Sequence, residues 1–258
     1  GFRCLDQYLA ASGHSGGVAV IPFYAAYRAL VRAKVAALDL AATTDESERG
    51  ELLEQCGNYL AAAQHWSTPS TPLLVITHGP AGSGKSTLTE RLLETLEAVR
   101  FRSDVVRREL YNLAPGARSH AGPGEAIYND EASRRTYARL RELAAEALDA
   151  SLPVILDATF LQRAERDAVR AQARNLGVAM IILHCHAPES VLRLRVRARQ
   201  ASGGDASEAD EAILDRQLQN AEPLGAEELP YTVCVDTHYT PSLLTLSRRL
   251  RRRARVPD

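Results

Sequence analysis

Residues Gly79, Pro80, Ala81, Gly82, Ser83, Gly84, Lys85, Ser86 and Thr87 carry the densest chemistry in the chain, and the run from Gly79 to Ser86 satisfies the pattern G-x-x-x-x-G-K-[ST] in full. Glycines at these places let the backbone N–H groups of Gly82 to Lys85 turn into one concavity at a helix start, where phosphate oxygens bind without a side chain in the way. Lys85 is then placed to reach the outer phosphates, and Ser86 to offer its hydroxyl to Mg²⁺. At average residue frequencies such a pattern recurs by chance in roughly one chain in a hundred of this size. The flanks lower that chance further. Leu73-Leu74-Val75-Ile76-Thr77 is an apolar run suited to a buried parallel strand, and Leu88, Leu92, Leu93, Leu96 and Val99 follow at helical spacing.

Two carboxylates stand where such a loop needs them. The run Val154-Ile155-Leu156 ends in Asp157, and an apolar strand ending in Asp beside a phosphate loop holds the water shell of Mg²⁺; the alternative is a strand-end Asp that caps the next helix. Asp104 follows a short strand and precedes a helix, so it either caps that helix or accepts the proton of an attacking hydroxyl. On the helix near 188–200, at about 100° per residue, Val191, Leu194 and Ala198 fall on one side, with Leu192 and Val196 further round the same half. Arg195 and Arg199 fall among them, whereas Arg193 and Arg197 face the open side. Two arginines among apolar neighbours need an anionic partner. Nucleotide phosphates would satisfy them, and the Gly203-Gly204 break beyond would let the helix close as a lid; a structural ion pair is the other reading. His184 and His186 share a strand face but lack a third convergent ligand, so a packed or ATP-adjacent strand end is preferred to a metal pair. His78 has the same status. No Ser-His-Asp or Cys-His arrangement has usable spacing.

These side chains need a scaffold. From residue 72 onward strands alternate with helices, the mark of a parallel sheet covered on both faces. Strands are expected near 73–78, 99–103, 153–158, 178–185 and 231–236, and helices near 85–98, 104–112, 129–150, 162–176, 188–200, 207–220 and 241–253. The segments Ala114 to Gly124 and Ser202 to Asp205 read as a mobile loop and a hinge. Upstream, residues 18–41 predict a long amphipathic helix with Val20, Phe23, Tyr24, Tyr27, Leu30, Val31 and Val35 at helical steps. Thr43-Thr44-Asp45-Glu46 caps a second helix to about His65, with Leu52, Leu53, Cys56, Leu60 and Ala63 in one stripe. Trp66 to Pro72, with two prolines, reads as a linker, giving a helical segment 1–65, a linker 66–72 and a larger domain 73–258.

The chain of 258 residues, 45% hydrophobic and 24% charged, is large enough for one full domain and a small second one. A net charge of −1 exerts no general pull on nucleic acid or anionic membrane, and the run from Arg248 to Arg255 reads as a solvated helix end. Cys4, Cys56, Cys185 and Cys234 are scattered, as expected of reduced thiols in a cytoplasmic protein. No apolar stretch approaches the roughly 20 residues of a membrane span. The start at Gly1, amid packed-looking sequence, suggests a piece of something longer.

With these motifs in hand, residues 72–240 resemble the small P-loop kinases described as predicted kinases or AAA-type ATP-binding domains, relatives of gluconate kinase, zeta toxin and polynucleotide kinase. The resemblance is carried by Gly79 to Thr87, Arg102-Ser103-Asp104-Val105-Val106-Arg107, Val154 to Phe160, and Arg195-Val196-Arg197-Ala198-Arg199 with Asp205-Ala206-Ser207. Residues 1–60, above all Tyr27 to Leu38, resemble the C-terminal helices of aminoglycoside phosphotransferase-like domains, whose catalytic loop and metal ligands would lie before Gly1. The resemblance implies an α/β P-loop NTPase of nucleoside-monophosphate-kinase type, with a five-stranded parallel sheet in order 2-3-1-4-5. ATP and Mg²⁺ are the implied cofactors, with Lys85, Asp104, Arg195 and Arg199 catalytic, Ser86 and Asp157 at the metal, and a small-molecule hydroxyl as acceptor. A polynucleotide 5′-hydroxyl and a regulatory ATPase without acceptor are the rival expectations.

Overall fold

The computed structural model describes residues 1–69, 72–113, 129–202 and 210–254. They form two compact units, one of Gly1–Ser15, Pro72–Leu148 and Leu152–Asp258, the other of Gly16–Thr71 with Asp149–Ser151. The expected loop at 114–124 and the glycine break at 203–204 lie outside the described residues.

The larger unit is built on strands β1 (Leu73–His78), β2 (Val99–Arg102), β3 (Val154–Asp157), β4 (Ala179–His186) and β5 (Thr232–Asp236). They form one parallel sheet in the order β2-β3-β1-β4-β5, as expected. Every residue of β1 and β3 is buried, which requires cover on both faces and explains their unbroken apolar runs. The cover comes from α4 (Lys85–Leu96), α5 (Ser103–Leu110), α6 (Asp130–Asp149), α7 (Arg163–Asn175), α8 (Glu189–Ser202), α9 (Glu211–Asn220) and α10 (Leu243–Arg253). Leu88, Leu92, Leu93 and Leu96 of α4 and Leu140, Leu143, Ala144 and Ala147 of α6 are all buried, each set at helical spacing. The basic run closes α10, where cations complement the helix dipole. Arg251 donates to Leu96 O at 3.1 Å. Because the strands are parallel, His78, Arg102, Asp157, His186 and Asp236 all lie at one edge of the sheet, and chemistry collects there.

Residues 1–15 depart from the expected helical segment 1–65. Phe2–Ser12 forms a helix, α1, that ends on left-handed Gly13 (φ 66) and packs on α4 and β2 of the larger unit. Phe2, Asp6 and Leu9 are its buried residues. The spacing Phe2, Leu5, Leu9 followed by Gly13 was the signal for this helix.

The smaller unit is a helical hairpin of α2 (Ile21–Ala42) and α3 (Glu46–Ser67), with Asp45 capping α3 by accepting from Ser47 N at 2.9 Å. The helix α3 runs to Ser67, so the first two residues of the expected linker are helical. Its packing face differs from the one the large apolar residues imply. Ala29, Ala33, Ala36 and Ala63 are buried, while Phe23, Tyr24, Tyr27 and Leu30 are each more than half exposed. Alanines let two helix backbones approach closely, and the bulky side chains stay on the outside.

Candidate active site

The chain turns sharply after β1. Gly79 has φ 142, and a Cβ there would lie 2.4 Å from the Cys185 carbonyl oxygen; at Gly82, φ 76, it would lie 2.6 Å from that of Leu192. Glycine is therefore required by backbone approach from β4 and α8 as well as by the turn. Left-handed Gly84 (φ 78) opens α4, whose first-turn N–H groups have no carbonyl within the helix to bond. Together with the helix dipole they favour an anion at this point. Lys85 bends back over the loop, donating to Pro80 O at 2.7 Å and Ser83 Oγ at 3.2 Å. Burial lowers its pKa, and Arg199 adds to the effect against the opposing pull of Asp157 and Cys185. An incoming phosphate would offset that cost with its negative charge.

Asp157 closes β3, only 4% exposed. The buried Thr89 hydroxyl donates to its Oδ2 at 3.3 Å, and Arg100 Nη1 lies 3.5 Å from the same oxygen. The peptide after it is pinned to β1, since Thr77 Oγ1 accepts from Ala158 N at 3.0 Å and donates to Ala158 O at 2.6 Å. Asp104 lies within the first turn of α5, not at its N-cap, which is Arg102. Its two oxygens accept from Arg102 Nε at 3.2 Å and Nη2 at 2.7 Å, and Oδ1 also accepts from Val105 N at 3.0 Å. The carboxylate is thus held in a fork-to-fork pair with the arginine two residues before it.

The arginines of α8 divide as the helical count requires, with corrections on both sides of the helix. Leu192 and Val196 are the buried apolar positions, and together with Leu214 of α9 they close on Ala81 of the loop. Leu194 and Ala198, expected beside them, are exposed, Leu194 to 67%. Arg195 Nη1 donates to Gly82 O at 3.2 Å and to Thr237 Oγ1 at 3.0 Å, and its Nη2 donates to Thr237 O at 2.7 Å. Arg193 and Arg197 are not simply solvated. Arg193 pairs with Glu189 and with Asp215 at 2.7 Å, and Arg197 with Glu211 at 2.9 Å, so they tie α8 to α9.

One cleft of about 380 Å³ collects the rest. Lys85, Ser86, Asp104, Asp157, Arg195 and Arg199 all line it, although they come from α4, α5, β3 and α8. Its oxygen donors suit Mg²⁺, which keeps most of its water and takes one or two carboxylates beside the phosphates. Asp157 and the exposed Ser86 fit that requirement.

Three site residues escaped the sequence reading. Gln217 of α9 lines the cleft and accepts from Ala81 N at 2.7 Å through Oε1. Asp6 and Arg100 form a buried bidentate pair beside Asp157. An arginine within an otherwise apolar strand was the available signal, because a buried guanidinium demands a partner. The histidines pack as a strand-end group: His78 Nδ1 lies 2.8 Å from His184 Nδ1, and the rings of His184 and His186 are 5.4 Å apart. Burial, reinforced by His184, lowers the pKa of His78 to about 3, so the ring is neutral. No cluster of three or more metal-ligating side chains occurs among the described residues.

Comparison with known proteins agrees with this fold. The family described as AAA domain matches residues 74–224. An uncharacterized protein of Mycobacterium tuberculosis (strain ATCC 25618 / H37Rv), Rv2004c, is 28% identical over 214 residues, covering 83% of this chain and 42% of its own length. The chain therefore spans less than half the length of the curated relatives it matches. Among solved structures, the Mycobacterium tuberculosis APS kinase CysC in complex with AMPPNP and APS is similar with TM-score 0.51 and 16% identity, over 72% of this chain and 98% of that one. Chaetomium thermophilum Kti12 in complex with ADP-AlF3 is similar with TM-score 0.54 and 16% identity, over 71% of this chain and all of that one. These likenesses establish the P-loop fold.

Proposed function

This chain belongs to the AAA domain family, and from that membership we propose that it is an ATP-dependent kinase that transfers the γ-phosphate to a hydroxyl of a small molecule. The observation that carries the reading is a cleft lined by the phosphate loop, two carboxylates and two arginines. The loop and the start of α4 hold the phosphates, and Lys85 swings from Pro80 O onto the outer ones. Ser86 and Asp157 would hold Mg²⁺, which would supply charge neutralisation at the phosphate oxygens. Asp104 faces the same cleft and takes the acceptor proton, while Arg195 and Arg199 neutralise charge as α8 closes. Transfer of this kind asks mainly for positioning and charge stabilisation, which such a set supplies.

The hairpin α2–α3 is read as the end of an aminoglycoside phosphotransferase-like domain, and the chain as cytoplasmic. No helix among the described residues is long and apolar enough to cross a membrane.

One observation favours a second reading. Asp104 is engaged by Arg102 on both oxygens, which leaves it less free to act as a base and suits a regulatory ATPase without an acceptor. Labelled ATP incubated with pools of metabolites and oligonucleotides separates the cases, with Lys85→Ala as the blank. Label on a metabolite supports the small-molecule kinase. Label on a 5′-hydroxyl end redirects the reading to a polynucleotide kinase, and full-rate release of phosphate without any acceptor redirects it to the ATPase.

A further inference from the structure

Arg100 of β2 lies between two carboxylates, its side chain 2% exposed. Its Nε and Nη2 donate to Oδ1 and Oδ2 of Asp6 at 2.8 and 2.6 Å. The remaining nitrogen, Nη1, donates to Ser86 O at 2.8 Å and to Thr89 Oγ1 at 3.0 Å, and stands 3.5 Å from Asp157 Oδ2. One guanidinium thus touches both residues assigned to the metal, Ser86 through its backbone and Asp157 through its carboxylate. A cation beside a metal carboxylate competes with the metal for the same negative charge. Asp6 engages two of the three nitrogens and so holds the guanidinium back from Asp157. From this geometry we infer that Asp6, on α1, is a positioning residue for the metal end of the nucleotide site: by neutralising Arg100 it keeps Asp157 available to Mg²⁺. The inference rests on the Mg²⁺-nucleotide reading above.

The strength of the effect follows from the setting. The three side chains are almost wholly buried, so their charges are poorly screened. Without Asp6, the guanidinium is left with Asp157 as its carboxylate neighbour and would close the present gap to a direct hydrogen bond. The metal would then have to displace a buried cation. A structural role for α1 alone predicts something different: a lower melting temperature with no change in how much Mg²⁺ the protein needs.

The test is calorimetric titration of the full chain with a non-hydrolysable ATP analogue, in EDTA and across a series of Mg²⁺ concentrations. Asp6→Asn keeps the size of the side chain and removes its charge. Affinity in EDTA is expected to stay within about twofold of wild type, while the Mg²⁺ concentration for half-maximal enhancement rises by about tenfold or more, the range seen for residues that support metal ligands. In Asp6→Asn with Arg100→Gln both charges are gone, and the Mg²⁺ requirement is expected to return to the wild-type value or below. A wild-type requirement in the single variant overturns the inference, and so does a raised requirement in the double variant. Should the single variant fail to fold, the double variant decides alone, by the same criterion. If wild-type protein binds the analogue without regard to Mg²⁺, the kinase reading itself fails; if only the variants are indifferent, the inference fails and that reading stands.

Discussion

At the residue scale, the site's charges answer to different tests. Lys85→Ala removes the cation proposed to reach the outer phosphates, and its hydrogen bonds stay within the loop, so the fold should survive. Phosphoryl transfer is expected to vanish while the thermal unfolding transition remains cooperative; turnover at the wild-type rate would remove the foundation of the proposed function. Asp104→Asn keeps one acceptor for Arg102 and Val105 and loses the proposed base. The pair is only 19% and 23% exposed, so replacing its charged hydrogen bonds by neutral ones should cost about 1–2 kcal/mol of stability, while transfer falls by roughly 10² to 10⁴. An unchanged rate would leave Asp104 as a partner of Arg102 only. His78 is expected to contribute to the pH dependence of stability. Unfolded, it takes up a proton near its ordinary pKa of 6.5, but folded it resists down to about 3. The unfolded chain therefore binds more protons between those limits, and stability is lost as pH falls from about 6.5 toward 3. His78→Gln should lose less melting temperature between pH 7.5 and pH 4.5 than wild type does.

At the scale of an element, α8 is the part whose role differs most between its two sides. Arg195 joins the loop and the end of β5 through Gly82 and Thr237, and Arg199 lines the cleft beside it. Replacing either with Ala is expected to reduce transition-state stabilisation by roughly 2.7–4 kcal/mol, as for other preorganised donors, read as kcat/KM. Arg195→Ala should also lower the melting temperature, because its bonds exist before any nucleotide arrives. Arg193→Ala and Arg197→Ala break bridges to α9 and should leave kcat/KM near wild type. Equal slowing by all four substitutions would point to general electrostatics and not to a lid. The hairpin of α2 and α3 shows a related limit of helix counting. The period located the helices, but their packing ridge is alanine, and the aromatic residues at equally regular steps face outward.

At the scale of the whole molecule, α1 belongs with the sheet unit and not with the hairpin that follows it. Removing residues 1–15 strips Arg100 of its bidentate partner, and breaking a buried pair of this kind destabilises by roughly 3–5 kcal/mol. Urea denaturation of the shortened chain should show that loss; a change below about 1 kcal/mol would mean that Arg100 finds another partner. The strand, glycine turn and helix from Leu73 to Leu96, the alternation that became a parallel sheet, and Asp104 and Asp157 near the ends of their strands were all legible in sequence, because they depend on neighbours a few residues away. A parallel sheet then had to gather them at one edge. What the amino-acid order did not reveal were pairings over long separations: Asp6 with Arg100, 94 residues apart, and Ala81 with Gln217, 136 apart. Periodicity reports which face of an element is apolar, but the partner of a buried charge depends on which elements the sheet order and helix packing bring side by side. Only the tertiary structure decides that, and here it set Asp6, on a helix from the start of the chain, against Arg100 beside Asp157.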